Sequence, residues 1–337
     1  MRIDQTLERQ EKKISGSLSG KAAVISQPGT VKFEAVKIPE PEDNEVRIRL
    51  EGSGLCASNI PVWEGRDWFD YPVAPGEPGH EGWGIVDALG SGVTDLEIGD
   101  RVTALSYHAY ATHDIAPREN VVKLPETLKD QPFPGEPLGC AMNIFDRSEI
   151  RKGDRVAIVG SGFLGNLLIQ LAKSAGAFVI AISRRDSSLE TARSCGADHL
   201  VKMDDHQRII DQIKKITNGQ FCSRVIECTG KEWPLNLSIE LTAVRGKLIV
   251  AGFHQDGMRN LNVQLLNWRG IDMISAHERD SQKYISGIRN AIRAVEAGQI
   301  DPFPLFTHHY PLGEIDKAFQ ALAEKPEGFI KALVLNT

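Results

Sequence analysis

Arg155-Val-Ala-Ile-Val-Gly160-Ser-Gly162-Phe-Leu-Gly165-Asn-Leu-Leu-Ile169 is the stretch whose reading decides the fold. Residues 156–159 form a continuous apolar run rich in β-branched residues, the pattern of a strand buried on both faces. After it, apolar residues fall at Leu164, Leu167, Leu168 and Leu171, the spacing of a helix. Between them stands G-x-G-x-x-G. The pattern is weak alone, but here it closes a predicted strand and opens a predicted helix. Gly160 makes the tight turn, Gly162 lets the backbone approach a pyrophosphate, and Gly165 lets helix and strand pack closely. Free N–H groups at the start of the helix, at Phe163 and Leu164, then face the phosphates. The plainer alternative is a glycine-rich structural turn.

Outward from this point the texture differs on the two sides. Downstream, strands (178–183, 199–203, 224–230, 247–252, 270–276) alternate with helices (187–197, 207–217, 235–241). That order predicts a doubly wound parallel sheet of the Rossmann type over residues 139–279. Upstream, from Lys21, short alternating runs such as KAAVIS, VKFEAVKIP and EVRIRLEGSG are cut by Pro, Gly and Asp/Asn turns. They predict a partly open β-barrel. Residues 280–337 hold two helices (284–296, 312–323) and a last strand, FIKALVLN, that does not extend the parallel pattern. They are expected to return to the first domain, which then comprises 20–138 and 280–337. Residues 1–19 are polar and read as an extension forming a surface arm. The fold class is α/β.

Composition excludes several functions. Charged residues make up 25% and the net charge is −6, so no general basic surface awaits a nucleic acid. No run approaches the roughly 18 apolar residues of a membrane helix. The N-terminus lacks an apolar signal core, which predicts a cytoplasmic protein. Cysteines stand at 56, 140, 195, 222 and 228, an odd and scattered set without a CxxC pair. That argues against a disulfide framework and leaves either reduced core thiols or one or two metal ligands.

The strand at 178–182 is expected to end beside the adenosine ribose. A site for NAD usually carries an acid there, about 20 residues past the glycines. This chain has Ser183-Arg184-Arg185, with Asp186 beyond the strand end. A hydroxyl and two planar guanidinium forks suit a 2′-phosphate, which favours NADP(H) over NAD(H). The alternative is a solvated surface pair of arginines.

Three short pieces offer metal-ligand types: Cys56-Ala57-Ser58-Asn59, Gly79-His80-Glu81, and Glu136-Pro137-Leu138 with Cys140 four residues after Glu136. One thiolate, one imidazole and one or two carboxylates make a zinc set with an open position, though the spacing alone is weak. With these pieces in this order, the chain over about residues 20–337 resembles the medium-chain, zinc-dependent alcohol dehydrogenases. Glu136-Pro137-Leu138 and Val62-Trp63-Glu64 resemble their polyol (sorbitol-type) branch, and the first domain is then of the GroES-like kind. The resemblance implies one catalytic zinc held by Cys56, His80, Glu81 and Glu136, with Ser58 moving the proton. It implies Thr229, in Glu227-Cys228-Thr229-Gly230, near the nicotinamide ribose, and Lys331 on the pyrophosphate. It implies hydride transfer between a nicotinamide cofactor, NADP(H) by the Ser183-Arg184-Arg185 reading, and a polyol, sugar alcohol or cyclitol, in a homodimer or homotetramer paired through edge strands near Val263 or Ile271–Ile274. Trp63, Glu64 and His277 are candidates for the substrate, His277 having the alternative of an exposed loop residue.

The chain departs from the family at Asn59, usually Asp, and at Pro61, where many members have a relay histidine. It also lacks the four-cysteine lobe, so no structural zinc is expected. Two other readings remain at this level: a zinc-free quinone- or enoyl-type reductase of the same superfamily, against which the Cys56 and Gly79-His80-Glu81 motifs count, and a non-catalytic NADPH-binding protein.

Overall fold

The structure is a computed structural model and describes residues 19–336. The expected N-terminal arm therefore lies, apart from Ser19, outside the described residues. The described residues open with an antiparallel hairpin, β1 (Ser19–Gln27) and β2 (Thr30–Lys37), turned at Pro28-Gly29. Strands β3 (Glu45–Gly54), β4 (Gly82–Leu89), β5 (Arg101–Ala104), β6 (His113–Pro117) and β7 (Val121–Lys123) follow, with the short helix α1 (Ile60–Glu64) between β3 and β4.

Helix α2 (Gly135–Ser148) then leads into alternating strands and helices. These are β8 (Arg155–Val159), α3 (Phe163–Ser174), β9 (Phe178–Ser183), α4 (Asp186–Ser194), β10 (His199–Lys202), α5 (His206–Ile216), β11 (Cys222–Glu227), α6 (Glu232–Leu241), β12 (Thr242–Val250), α7 (Val263–Arg269) and β13 (Asp272–Ser275). The chain ends with α8 (Ser281–Glu296), β14 (Phe306–Pro311), α9 (Ile315–Glu324) and β15 (Lys331–Leu335).

The six strands β10-β9-β8-β11-β12-β13 form one sheet in that order, and every pairing in it is parallel. Because helices cover both faces, β8 carries apolar residues on both, and Val156, Ala157, Ile158 and Val159 are fully buried. Helix α3 presses Leu167, Leu168, Ile169 and Leu171 into the same core; each such leucine contributes roughly 1.5–3 kcal/mol. Helix α5 buries one stripe, Ile209, Ile210 and Ile213, and is capped by Asp205, whose carboxylate accepts from Arg208 N at 2.8 Å.

The second sheet runs β14-β15-β3-β4-β5-β7, with β6 on β3. Its C-terminal member, β15, lies antiparallel to β3, with Leu333 opposite Gly54. Residues from the two ends of the chain thus share one sheet. Helices α2 and α8 pack together through Leu138, Ala141, Ile285 and Ile288 in a core that continues into α3.

Two elements differ from the sequence reading, the one at Val263 and the helix expected at 312–323. Val263 begins a helix rather than belonging to a strand, so of the two expected pairing segments only the second is extended. Glu136-Pro137 lies in the first turn of a helix, where proline is tolerated because the N–H it lacks has no intrahelical partner. The expected helix 312–323 divides into a 3₁₀ turn, Leu312–Glu314, and α9.

Candidate metal and nucleotide sites

Cys56 follows β3 directly, and His80 and Glu81 directly precede β4. The antiparallel register sets Ser53 opposite Gly82, so the two loops leave the same end of the pair. One ligand atom from each of Cys56, His80 and Glu81 lies within 4.8 Å of the others. His80 Nδ1 stands 2.9 Å from Pro78 O, which only accepts. Nδ1 therefore carries a proton, which leaves Nε2 to face Cys56, the orientation a ligand histidine needs.

Asn59 ties the two loops together. Its Nδ2 donates to Pro78 O at 3.2 Å, while its Oδ1 accepts from Cys56 N at 3.4 Å and from the Tyr110 hydroxyl at 2.6 Å. An amide does this where a carboxylate would not, since it both donates and accepts. Burial, then the charges of Glu81 and Cys56, push the Tyr110 phenol well above its usual range, so it remains a donor.

Glu81 is completely buried. Lys331 Nζ, reached from β15, donates to its Oε1 at 2.7 Å. The same ammonium stands 2.6 Å from Oε2 as an ion pair, yet Oε2 makes no hydrogen bond. Burial opposes a charge on His80, but hydrogen bonding to Cys56 and the fields of Cys56, Glu136 and Glu81 outweigh it and raise the imidazole to about 10. The site thus calls for positive charge. A thiol, an imidazole and a buried carboxylate suit a zinc ion with an open fourth position.

The structure does not bring every expected residue into this group. The Glu136 carboxylate stays outside the cluster of three and accepts from the Cys140 thiol at 3.2 Å. Burial, opposed by His80 and aided by Glu81, raises its pKa. Lys331 is bound to Glu81 and also stands 5.1 Å from the centre of the Phe163 ring.

Ser58 lines a cavity of about 320 Å³ with Val62, Phe69, Pro72, Val73 and Glu77. Trp63 and Glu64 do not line it. Trp63 stacks on Phe319 at 6.1 Å, and Glu64 pairs with Arg66 at 3.0 Å on the surface. His277 is reached by Gln255, 3.4 Å away, and burial with Arg279 nearby lowers its pKa.

At the glycine turn, Gly160 has φ 103°, a left-handed conformation that favours glycine. A methyl group on Gly165 would stand 2.0 Å from Gly160 O, so only glycine permits this approach of helix to strand. Ser183 ends β9, buried, and Arg184 is exposed beyond it. Arg185 is otherwise engaged than the sequence reading expected. It donates to Phe329 O at 2.7 Å and more loosely to Lys325 O and Pro326 O at 3.4 and 3.5 Å, which clamps the loop before β15. Partial burial, then the cations of Arg185, Arg184 and Lys231, lower the Lys325 ammonium. These four cations form a basic cluster of which the sequence revealed only the two arginines. Thr229 N donates to Glu227 Oε1 at 2.6 Å.

The family profile for the alcohol dehydrogenase GroES-like domain matches residues 42–126, and that for the zinc-binding dehydrogenase matches residues 164–293. The chain belongs to the zinc-dependent medium-chain alcohol dehydrogenase family. Among its relatives is a sorbitol dehydrogenase of Halalkalibacterium halodurans, 27% identical, the match covering 90% of this chain and 96% of that one. A D-xylulose reductase of Saccharomyces cerevisiae is 28% identical, covering 93% and 97%. These place the dehydrogenase in the polyol branch. The solved 2R,3R-butanediol dehydrogenase of Bacillus subtilis has the same fold, with a TM-score of 0.82 at 23% identity over 95% of this chain and 100% of that one. Solved structures with this fold hold NADH in one case and NADP in another. No helix among the described residues of this dehydrogenase is long and apolar enough to cross a membrane.

Proposed function

We propose that this dehydrogenase moves a hydride between NADP(H) and a secondary alcohol or ketone of the polyol class. That it is an oxidoreductase using zinc and a nicotinamide cofactor on alcohol or carbonyl substrates follows from its family. The observation that carries the reading is the convergence of Cys56, His80 and the buried Glu81.

Residues 20–138 with 280–337 would form the catalytic unit and 139–279 the nucleotide unit. Cys56, His80 and Glu81 would hold zinc, with Glu136 near enough to exchange into its shell. Bound there, zinc acts as a Lewis acid toward the substrate oxygen, and the nicotinamide carries the hydride. Ser58, on the cavity wall, would pass the hydroxyl proton toward solvent. Asn59 and Tyr110 keep the ligand loops in register. Gly160, Gly162 and Gly165, with the N–H groups of Phe163 and Leu164, would receive the pyrophosphate, and Thr229 would contact the nicotinamide ribose. Lys331 would neutralise Glu81 and lend field to the pyrophosphate.

Ser183 and Arg184, supported by Lys325 and Lys231, favour the 2′-phosphate of NADP(H); Arg185 contributes by holding the 325–329 loop. Cavity residues around Ser58, with His277 from the other side, would meet the substrate. The free edge of β13, with Met273 exposed on it and Trp268 exposed on α7, suits pairing with a second copy into a homodimer or homotetramer. A screen of polyols, cyclitols and ketoses with NADP⁺/NADPH and NAD⁺/NADH, with zinc assayed on the same sample, tests the whole. Oxidation of a polyol with NADP⁺ by zinc-loaded protein is expected, and preference for NAD⁺ would refute the cofactor assignment.

A further inference from the structure

Beyond the residues already placed, a chain of polar groups, buried at Glu227 and partly buried beyond it, lies behind the Thr229–Gly230 turn. Glu227, at the end of β11, is wholly enclosed. Its Oε1 accepts from Thr229 N at 2.6 Å, from Gly230 N at 3.0 Å and from the Thr229 hydroxyl. Its Oε2 meets His254 Nε2 at 2.8 Å. On the far side of the ring, Arg259 Nε donates to His254 Nδ1 at 3.2 Å. Arg259 also reaches Gly230 O at 3.3 Å and is paired with Asp256.

An arginine N–H is always a donor, so the ring nitrogen it meets must accept. The proton of His254 then sits on Nε2, pointing at Glu227. Each member is thereby fixed by its neighbour: Asp256 holds Arg259, Arg259 sets the tautomer, and His254 satisfies the carboxylate lone pair that the turn leaves over.

We infer that His254 is a positioning residue, held as the neutral Nε2–H tautomer by Arg259, which fixes Glu227 and through it the Thr229–Gly230 turn against the nicotinamide end of the cofactor. This rests on the nucleotide reading above. Without the His254 donor, Glu227 Oε2 is left buried and unpaired, and the carboxylate is free to turn away from Thr229 and Gly230.

The test joins a spectrum to a binding measurement on the full chain. In ¹⁵N-histidine NMR of the wild-type protein without cofactor, the His254 signal, assigned by its loss in His254→Gln, is expected to show a protonated Nε2 and an unprotonated Nδ1. A protonated Nδ1 would overturn the inference. By calorimetry with NADP⁺, His254→Leu, which removes both donor and acceptor, is expected to weaken binding roughly tenfold, the equivalent of one hydrogen bond to a charged group. His254→Gln retains one donor and one acceptor and is expected to bind within about threefold of wild type. Equal loss in both variants, with unfolding temperatures matched, or no loss in His254→Leu, would overturn the positioning role. A wild-type protein that binds no dinucleotide refutes the cofactor reading instead, and the ring-nitrogen spectrum still decides the tautomer.

Discussion

Replacing Lys331 by Met tests the electrostatic logic of the metal site. Lys331 Nζ and Glu81 Oε2 are 2.6 Å apart, with side-chain exposures of 7% and 0%. At that distance and an effective dielectric of about 20, the Coulombic attraction is about 6 kcal/mol. Removing the lysine also removes the cost of burying its charge, and methionine fills most of the same volume. Deleting one partner of a buried pair therefore leaves a net loss of roughly 3–5 kcal/mol. With zinc bound beside Glu81, the metal supplies the missing positive charge, and the loss should fall to less than half.

The assay is urea unfolding of Lys331→Met and wild type, each with chelator and each loaded with zinc, compared at matched m-values. A loss below about 1 kcal/mol in the chelated protein would mean that water reaches Glu81 and that the pair is not truly buried. An equal loss with and without zinc would mean that the ion does not sit against Glu81.

Other substitutions probe the remaining parts. Cys56→Ala should remove most of the zinc seen by elemental analysis, whereas Glu136→Gln, outside the cluster of three, should keep it. Gly165→Ala, whose methyl would lie 2.0 Å from Gly160 O, should abolish dinucleotide binding in calorimetry while circular dichroism stays that of a folded protein. Arg184→Ala should weaken 2′,5′-ADP about 10- to 100-fold and leave 5′-AMP unchanged, as expected for a charge-assisted bond to phosphate. In stability, Leu168→Ala in the fully buried face of α3 should cost about 2–5 kcal/mol by urea unfolding.

Some of this protein was legible because its physics is local. The glycine turn needs only a buried strand, a backbone that accepts a left-handed φ and a helix start, all within residues 155–169. Cys56-Ala57-Ser58 and Gly79-His80-Glu81 were legible as donor types, since thiol, imidazole and carboxylate declare their chemistry in any fold. The hold of Arg185 on the 325–329 loop is not legible, because its partners are backbone carbonyls with no sequence signature. The stacking of Trp63 is not legible either, because the ring it meets, Phe319, is distant in sequence. His254 passed unnoticed because a histidine after a strand says nothing until Glu227 is found beside it.

The sequence by itself determined the alternation of strands and helices, the phosphate-binding turn and the kinds of donor available. These depend on backbone preferences and on periodicity over a few residues. Only the tertiary structure decided which donors converge. The antiparallel register of β3 and β4 sets Cys56 against His80 and Glu81, and the return of β15 to β3 brings Lys331 to Glu81 across 250 residues. Burial then turns those meetings into chemistry, because a charge withdrawn from water must find its partner inside the protein.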